Sequence, residues 1–88
     1  MSEYVIYGKN DCSYCVKAKK VLDAIDRTYH YVEVGKDISV EEFKSRLGID
    51  INTRTTVPQI FRKEKLIGTY EKLLETLENE SGTTESFG

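Results

Sequence analysis

Residues 4–15 have the sequence YVIYGKNDCSYC, in which a short β-branched and aromatic run leads into two cysteines. Residues 4–7 predict a buried strand that ends at Gly8, because such side chains favour strands and glycine interrupts them. Over residues 12–25, apolar side chains recur at the spacing of one helix face. The sequence therefore predicts a strand followed by an amphipathic helix whose first turn carries both sulfurs.

The next segments extend this unit into one small α/β domain. Residues 29–34 are again aromatic and β-branched, and a strand–helix–strand order of this length favours parallel pairing through a right-handed crossover. Ser39 and Glu42 have the spacing of a capping box, and Gly48 stands where a helix C-terminus is expected. We therefore predict a second helix over residues 39–47.

The remainder predicts a hairpin and a closing helix. Residues 57–61 and 66–68 are strand-like and flank a charged turn at residues 62–65. Apolar residues at helical spacing over residues 70–77 predict the last helix, with Thr69 as its N-cap. The order is then βαβαββα, with one domain over residues 1–79 and a flexible tail over residues 80–88.

Composition excludes several classes of function. A chain of 88 residues with 39% apolar side chains and a net charge of −2 supports one modest core. No clustered basic stretch favours nucleic acid, and no apolar run approaches the roughly 20 residues that cross a bilayer. We therefore expect a soluble protein that binds neither nucleic acid nor membrane. The first residues also lack the pattern of a signal peptide, so we expect the protein in the cytoplasm.

The position of the two cysteines indicates redox chemistry. Cys12 falls at a helix N-terminus, where free N–H groups and the helix dipole stabilise a thiolate, and Lys9 adds positive charge nearby. Each unit by which a thiol pKa falls corresponds to about 1.4 kcal/mol in favour of the thiolate. Cys15 lies one turn further on and deeper. We therefore expect Cys12 to be the nucleophile and Cys15 the resolving thiol.

Other interpretations of the same residues remain open. A structural disulfide over so short a loop would stabilise the fold by only about 2 kcal/mol, and the cytosol tends to reduce it. A zinc site would need two more ligands, for which the chain offers only His30. In a strand, His30 is more often a surface residue than a base.

Three segments together resemble a known family: KNDCSYC at residues 9–15, TVPQIF at residues 56–61, and Ile67-Gly68. In order and spacing they are similar to the small bacterial and phage glutaredoxins over residues 4–77. Thioredoxins are a poorer match, because no Trp precedes Cys12. The resemblance implies a thioredoxin-like fold, with a central four-stranded mixed sheet flanked by three helices.

The resemblance also implies an activity. A glutaredoxin of this kind is a monomeric thiol–disulfide oxidoreductase that reduces protein disulfides or glutathionylated proteins, with glutathione as reductant and no metal required. Cys12 and Cys15 would be its catalytic residues. Disulfide-containing protein substrates would be its partners, and ribonucleotide reductase is one acceptor that the family implies.

A glutathione site follows from the same resemblance. It implies that the Val57–Pro58 peptide bond is cis and faces the cysteines, although Pro58 could instead begin an edge strand. Lys9 and Arg54 would bind the glycine carboxylate of glutathione, and the N-terminus of the last helix would bind its γ-glutamyl carboxylate. The full expected set is Lys9, Tyr14, Arg54, Thr56, Val57, Pro58, Gly68, Thr69, Tyr70 and Glu71.

The chain departs from the family pattern at four positions. Thr69 replaces the usual second glycine and Lys72 a common acidic residue, so we expect weakened glutathione affinity. Arg54 stands one position before the usual basic residue. Ser13 replaces the usual proline, which keeps open a carrier role in which Cys12 from two subunits and two glutathiones hold a [2Fe–2S] cluster. A redox-inactive binding module is the third class that we consider.

Overall fold

The computed structural model describes residues 3–81, and its elements follow the predicted order βαβαββα. The sequence pattern therefore identified each helix and strand of the described residues. Their bounds are β1 Tyr4–Gly8, α1 Ser13–Ala24, β2 Tyr29–Glu33, α2 Val40–Leu47, β3 Gln59–Arg62, β4 Lys65–Gly68 and α3 Tyr70–Ser81.

The strands form one mixed sheet within residues 3–81, in the order β2-β1-β3-β4. β1 pairs parallel with β2 and antiparallel with β3, and β4 continues the hairpin antiparallel to β3. The parallel β1–β2 pair is the product of the crossover through α1, as the opening pattern predicts. With the three helices of this region, the sheet confirms the thioredoxin-like fold.

The two faces of the sheet bury separate apolar clusters because side chains alternate along β1. Tyr4 and Ile6 lie on one face with Leu22 of α1 and Leu73 of α3, all of them fully buried. Tyr7 lies on the other face and packs against Phe43 of α2. α1 and α3 therefore cover one side of the sheet, and α2 covers the other.

The capping signals of α2 act as predicted. The Ser39 hydroxyl accepts a hydrogen bond from the Glu42 N–H at 3.0 Å. Gly48 takes the left-handed conformation, with φ +75°, and its N–H closes the last turn on the Ser45 carbonyl. Glycine adopts this conformation without the steric cost that a side chain would bring. This eight-residue helix is thus fixed at both ends.

Some boundaries differ from the prediction. β3 begins at Gln59, two residues late, and the hairpin turn is the pair Lys63-Glu64, both with positive φ. α3 continues to Ser81, beyond the residues 70–77 that apolar spacing predicts, because glutamate is a good helix former. Residues 82–88 of the predicted tail lie outside the described residues, and the boundary at residue 79 stays a prediction. Within residues 3–81 no helix is long and apolar enough to span a bilayer.

Candidate active site

The two cysteines lie at the start of α1 and are joined by a disulfide. Cys12 is the N-cap residue, and its sulfur accepts a hydrogen bond from the Cys15 N–H at 3.2 Å. Cys12 is partly exposed, whereas Cys15 is fully buried. The outer sulfur is therefore reachable from solvent and bonded to a free helix N–H, and the inner sulfur lies behind it, as the sequence predicts.

Close contact between β1 and α1 depends on Gly8. A Cβ atom at Gly8 would lie 2.8 Å from the Cys15 sulfur and would also collide with the Tyr31 ring. Asp11, just before Cys12, adopts a left-handed conformation with φ +58° and turns the chain into the helix. The glycine that ends the first predicted strand thus makes room for the buried cysteine.

The loop before β3 faces the cysteines. The Val57–Pro58 bond is cis, as the resemblance implies, and the Val57 carbonyl oxygen lies 3.8 Å from the Cys12 sulfur. The buried Gln59 side chain supports this loop by donating a hydrogen bond to the Thr56 carbonyl at 3.0 Å. Backbone polar groups of the loop are thereby positioned beside the outer sulfur.

A first groove, of about 360 Å³, lies between the start of α1 and the start of α3. The Tyr14 and Tyr70 rings border it, with centroids 5.7 Å apart, and the Lys17 ammonium lies 4.9 Å from the Tyr14 centroid. We call it the α3 groove. Its lining residues all belong to the predicted set: Tyr14, Thr56, Val57, Pro58, Thr69, Tyr70 and Glu71. Gly68, also in that set, precedes Thr69 with φ +121°.

A second groove, of about 490 Å³, lies on the α2 side of the same loop. It contains the two remaining members of the predicted set, Lys9 and Arg54, and it shares Thr56 and Val57 with the α3 groove. We call it the basic groove. Its lining residues are Lys9, Val34, Val40, Phe43, Lys44, Arg54, Thr55, Thr56 and Val57. The structure thus divides the predicted residues between two adjoining grooves.

Sequence reasoning missed the contribution of α2 to the basic groove. Val40 and Lys44 are four residues apart on this helix and line the groove on one face, with Phe43 beside them. The signal was present, because residues at this spacing share a helix face. The sequence did not show that this face of α2 lies against the loop before β3.

Lys9 is positioned through its backbone. The Tyr31 hydroxyl donates a hydrogen bond to the Lys9 carbonyl at 3.1 Å. Burial raises the pKa of Tyr31, and the negative charge of Glu33 raises it further. The hydroxyl therefore remains protonated, and a donor, across the pH range in which thiols ionise.

The described residues contain no group of three or more His, Cys, Asp or Glu side chains that could hold a metal ion. His30 is exposed on β2, in a groove on the α2 face of the sheet with Tyr7 and Arg46. The cysteines line neither that groove nor its neighbour beside Phe61. His30 is thus not part of the candidate site.

Comparison with known proteins gives one family. A family model named Glutaredoxin matches residues 4–67. The chain is 35% identical to glutaredoxin 1 of Escherichia coli over 72 residues, which cover 75% of this chain and 81% of that protein. It is 37% identical to a glutaredoxin of Haemophilus influenzae over 70 residues, covering 73% and 77%. Glutaredoxin 1 from Francisella tularensis, in a crystal structure with cacodylate, is similar with a TM-score of 0.71 at 25% identity, covering 91% of this chain and 96% of that one.

Proposed function

Because this chain belongs to the glutaredoxin family and has the cysteine pair of a thiol–disulfide oxidoreductase, we propose that it reduces disulfides at the expense of glutathione. One observation supports this most: the Cys12 sulfur lies 3.8 Å from the Val57 carbonyl, where the α3 groove and the basic groove meet. A thiol tripeptide that spans both grooves would place its own sulfur against Cys12.

The reaction begins with the Cys12 thiolate, which the Cys15 N–H stabilises. The thiolate attacks a substrate disulfide, one substrate sulfur leaves as a thiolate, and a mixed disulfide forms at Cys12. Cys15 then attacks that bond, which releases the second substrate thiol and leaves the Cys12–Cys15 disulfide. Two glutathione molecules reduce this disulfide and leave as glutathione disulfide, so two electrons pass from glutathione to the substrate.

Each end of glutathione has a partner in this arrangement. The backbone N–H and C=O of Val57 would pair with the cysteine residue of glutathione, as in strand addition. The exposed Lys9 and Arg54 side chains would bind its glycine carboxylate in the basic groove. Free N–H groups at the start of α3, beside Thr69 and Tyr70, would bind its γ-glutamyl carboxylate.

The same proposal includes the electron acceptors, the oligomeric state and the cellular location of the protein. Its acceptors are disulfide-containing or glutathionylated proteins, with ribonucleotide reductase as one candidate acceptor of electrons. We propose a monomer in the cytoplasm, where the reducing glutathione pool restores the dithiol after each turnover.

The test is glutathione-coupled reduction of a small disulfide, with glutathione reductase and NADPH. We expect the wild type to be active, Cys12→Ser to be inactive, and Cys15→Ser to keep part of its activity towards glutathionylated substrates, because a second glutathione can replace Cys15. A wild type that is inactive with glutathione but is reduced by a thioredoxin reductase would contradict the proposed glutathione site.

A further inference from the structure

The basic groove has a charge opposite to that of the whole chain. The chain carries a net charge of −2, yet Lys9, Lys44 and Arg54 line this groove and no carboxylate does. Within residues 3–81, no ion pair joins any of these three cations to an acidic side chain. Next to the cysteines, the groove therefore presents three cations without an ion-pair partner in the described part of the chain, and such a cluster attracts anionic partners.

Lys44 is fixed in place while its charge remains available. Its ammonium donates a hydrogen bond to the Ile51 carbonyl at 2.7 Å, which ties α2 to the loop that follows it. A neutral carbonyl does not cancel the net charge of the ammonium, and the tether reduces the entropy that a free lysine would lose on binding. Lys44 is thus a preorganised cation, and the proposed glutathione contacts do not use it.

The floor of the groove is apolar. Phe43 and Val34 are buried beneath it, whereas Val40 is 40% exposed on the same face of α2 as Lys44. An exposed valine between cations offers apolar contact to a ligand that also carries negative charge. A polypeptide segment with acidic side chains next to an apolar one matches this combination of charge and surface.

We propose that the basic groove binds the disulfide-bearing segment of protein substrates that have acidic residues beside the reacting cysteine, with Lys44 as a specificity-determining residue. This inference rests on the proposed thiol–disulfide exchange at Cys12. The groove includes Thr56 and Val57 of the loop before β3, and the Val57 carbonyl lies 3.8 Å from the Cys12 sulfur, so a segment bound there delivers its disulfide to Cys12. Lys9 and Arg54 are open to the substrate at this stage, because the protein dithiol needs no glutathione to attack.

The protein dithiol can reduce a substrate disulfide bound in the basic groove without glutathione. The Cys12 thiolate attacks one sulfur of the substrate, and the other leaves as a thiolate and takes up a proton. The Cys15 thiol loses its proton, attacks the Cys12 sulfur of the mixed disulfide, and releases the second substrate thiol. Two electrons move from the protein dithiol, which becomes a disulfide, to the substrate disulfide, which becomes a dithiol.

A single-turnover experiment isolates this step. Pre-reduced protein is mixed with one of two disulfide peptides that are identical except for glutamates or lysines flanking the cysteines. We expect the wild type to reduce the acidic peptide about tenfold faster at low salt, with the ratio falling as salt screens the charges. Lys44→Glu should abolish the preference, and Lys44→Arg should keep it.

Lys65→Glu is the matched control. It makes the same charge change on β4, where Lys65 pairs with Arg62 at the end of the sheet away from the cysteines. It should leave both the preference and the rate with a small uncharged disulfide unchanged. Equal rates for the two peptides, no reduction of either, or a Lys44→Glu variant that slows both peptides equally would overturn the inference.

The outcome is independent of the glutathione proposal. A preference for the acidic peptide in a protein that glutathione cannot turn over would support the basic groove and contradict the glutathione site. Glutathione turnover without any peptide preference would support the site and contradict the groove. The two proposals therefore fail separately.

Discussion

Thr69 lies in the wall of the α3 groove, at the position where the glutaredoxin pattern commonly has a second glycine. Its side chain occupies space where ligand and backbone would approach each other. We predict that Thr69→Gly lowers the KM for glutathione about two- to fivefold, a change of up to about 1 kcal/mol in binding. Steady-state kinetics with varied glutathione measures this directly.

Thr69→Ser is the control for that variant. It keeps a hydroxyl before α3 while removing only the methyl group, so we expect an intermediate KM. The Thr69 carbonyl accepts the first helical hydrogen bond, from the Leu73 N–H at 2.9 Å, and both variants retain this carbonyl. A Thr69→Gly variant with an unchanged KM would show that the side chain does not limit glutathione binding.

At the scale of single residues, the sequence predicted the roles of the two cysteines but not which groove each candidate binding residue lines. The spacing of Cys12 and Cys15 implied one outer and one inner sulfur, and the structure has that arrangement. The sequence assigned Lys9 and Arg54 to one end of glutathione and the start of α3 to the other, and these residues line two adjoining grooves. Side-chain positions across a loop depend on tertiary packing, which local spacing does not encode. The iron–sulfur alternative suggested by Ser13 stays a prediction.

Helix α2 forms the outer wall of the basic groove, and its stability depends on the Ser39 cap. We predict that Ser39→Ala lowers the free energy of unfolding by about 1 kcal/mol, because the Glu42 N–H loses its acceptor. Urea unfolding of the wild type and the variant measures the difference.

Ser45→Ala tests whether the loss is specific to the cap. Ser45 is an exposed residue within the same helix, so this substitution should be neutral or slightly stabilising, since alanine favours helix interiors. Equal destabilisation by the two substitutions would contradict the capping role of Ser39.

The bounds of a helix with capping residues were predictable from the sequence, whereas the conformation of the β3–β4 turn was not. The Ser39 cap and the Gly48 stop together fixed α2 to within one residue at its start. The hairpin turn was predicted as residues 62–65, but nothing in Lys63-Glu64 indicated that both residues adopt positive φ. Such turns usually contain glycine or asparagine, so pairing of β3 with β4 here imposes the turn on residues that do not favour it.

Across the whole molecule, Glu3 connects three segments of the chain. Its carboxylate accepts hydrogen bonds from Arg27, which follows α1, at 3.1 Å and from Arg62 of β3 at 2.9 Å. Partial burial raises the pKa of Glu3, but the hydrogen bonds and charges of Arg62 and Arg27 lower it more, so that it lies below the usual value of 4.5. The ionised form is therefore favoured in the folded state.

The sign of the pH dependence follows from that depressed pKa. The contribution of Glu3 to stability is complete above its usual pKa and is lost as the pH falls through the lower, folded-state value. We predict that Glu3→Gln is less stable than the wild type at neutral pH and that the difference narrows in acid. Urea unfolding of both proteins at neutral and at acidic pH measures the difference in their free energies of unfolding.

Glu64→Gln provides the comparison, because Glu64 is exposed in the hairpin turn. Its stability relative to the wild type should change little between the two pH values. If the destabilisation caused by Glu3→Gln were the same in acid as at neutral pH, the ion pairs of Glu3 would not be the source of its effect.

The fold as a whole was predictable because local and global signals agree. Strand and helix periodicity, the α2 caps and the Thr-Val-Pro segment all indicate one topology, and the structure has it. The division of the site into two grooves was not predictable, because α2 and the loop after it meet only in the folded chain. In the two proposals, glutathione spans both grooves, whereas Lys44 on the α2 wall of the basic groove contacts only the protein substrate.

The central claim is that Cys12 is the thiol that reacts with glutathione. The most direct measurement compares Cys15→Ser, in which only Cys12 remains, with Cys12→Ser, in which only Cys15 remains. Each reduced variant is mixed with glutathione disulfide, and the rate at which one glutathione is added is followed by intact mass. We predict rapid addition to Cys12 and addition to the buried Cys15 that is at least about a hundredfold slower. Equal rates, or faster addition to Cys15, would contradict the account.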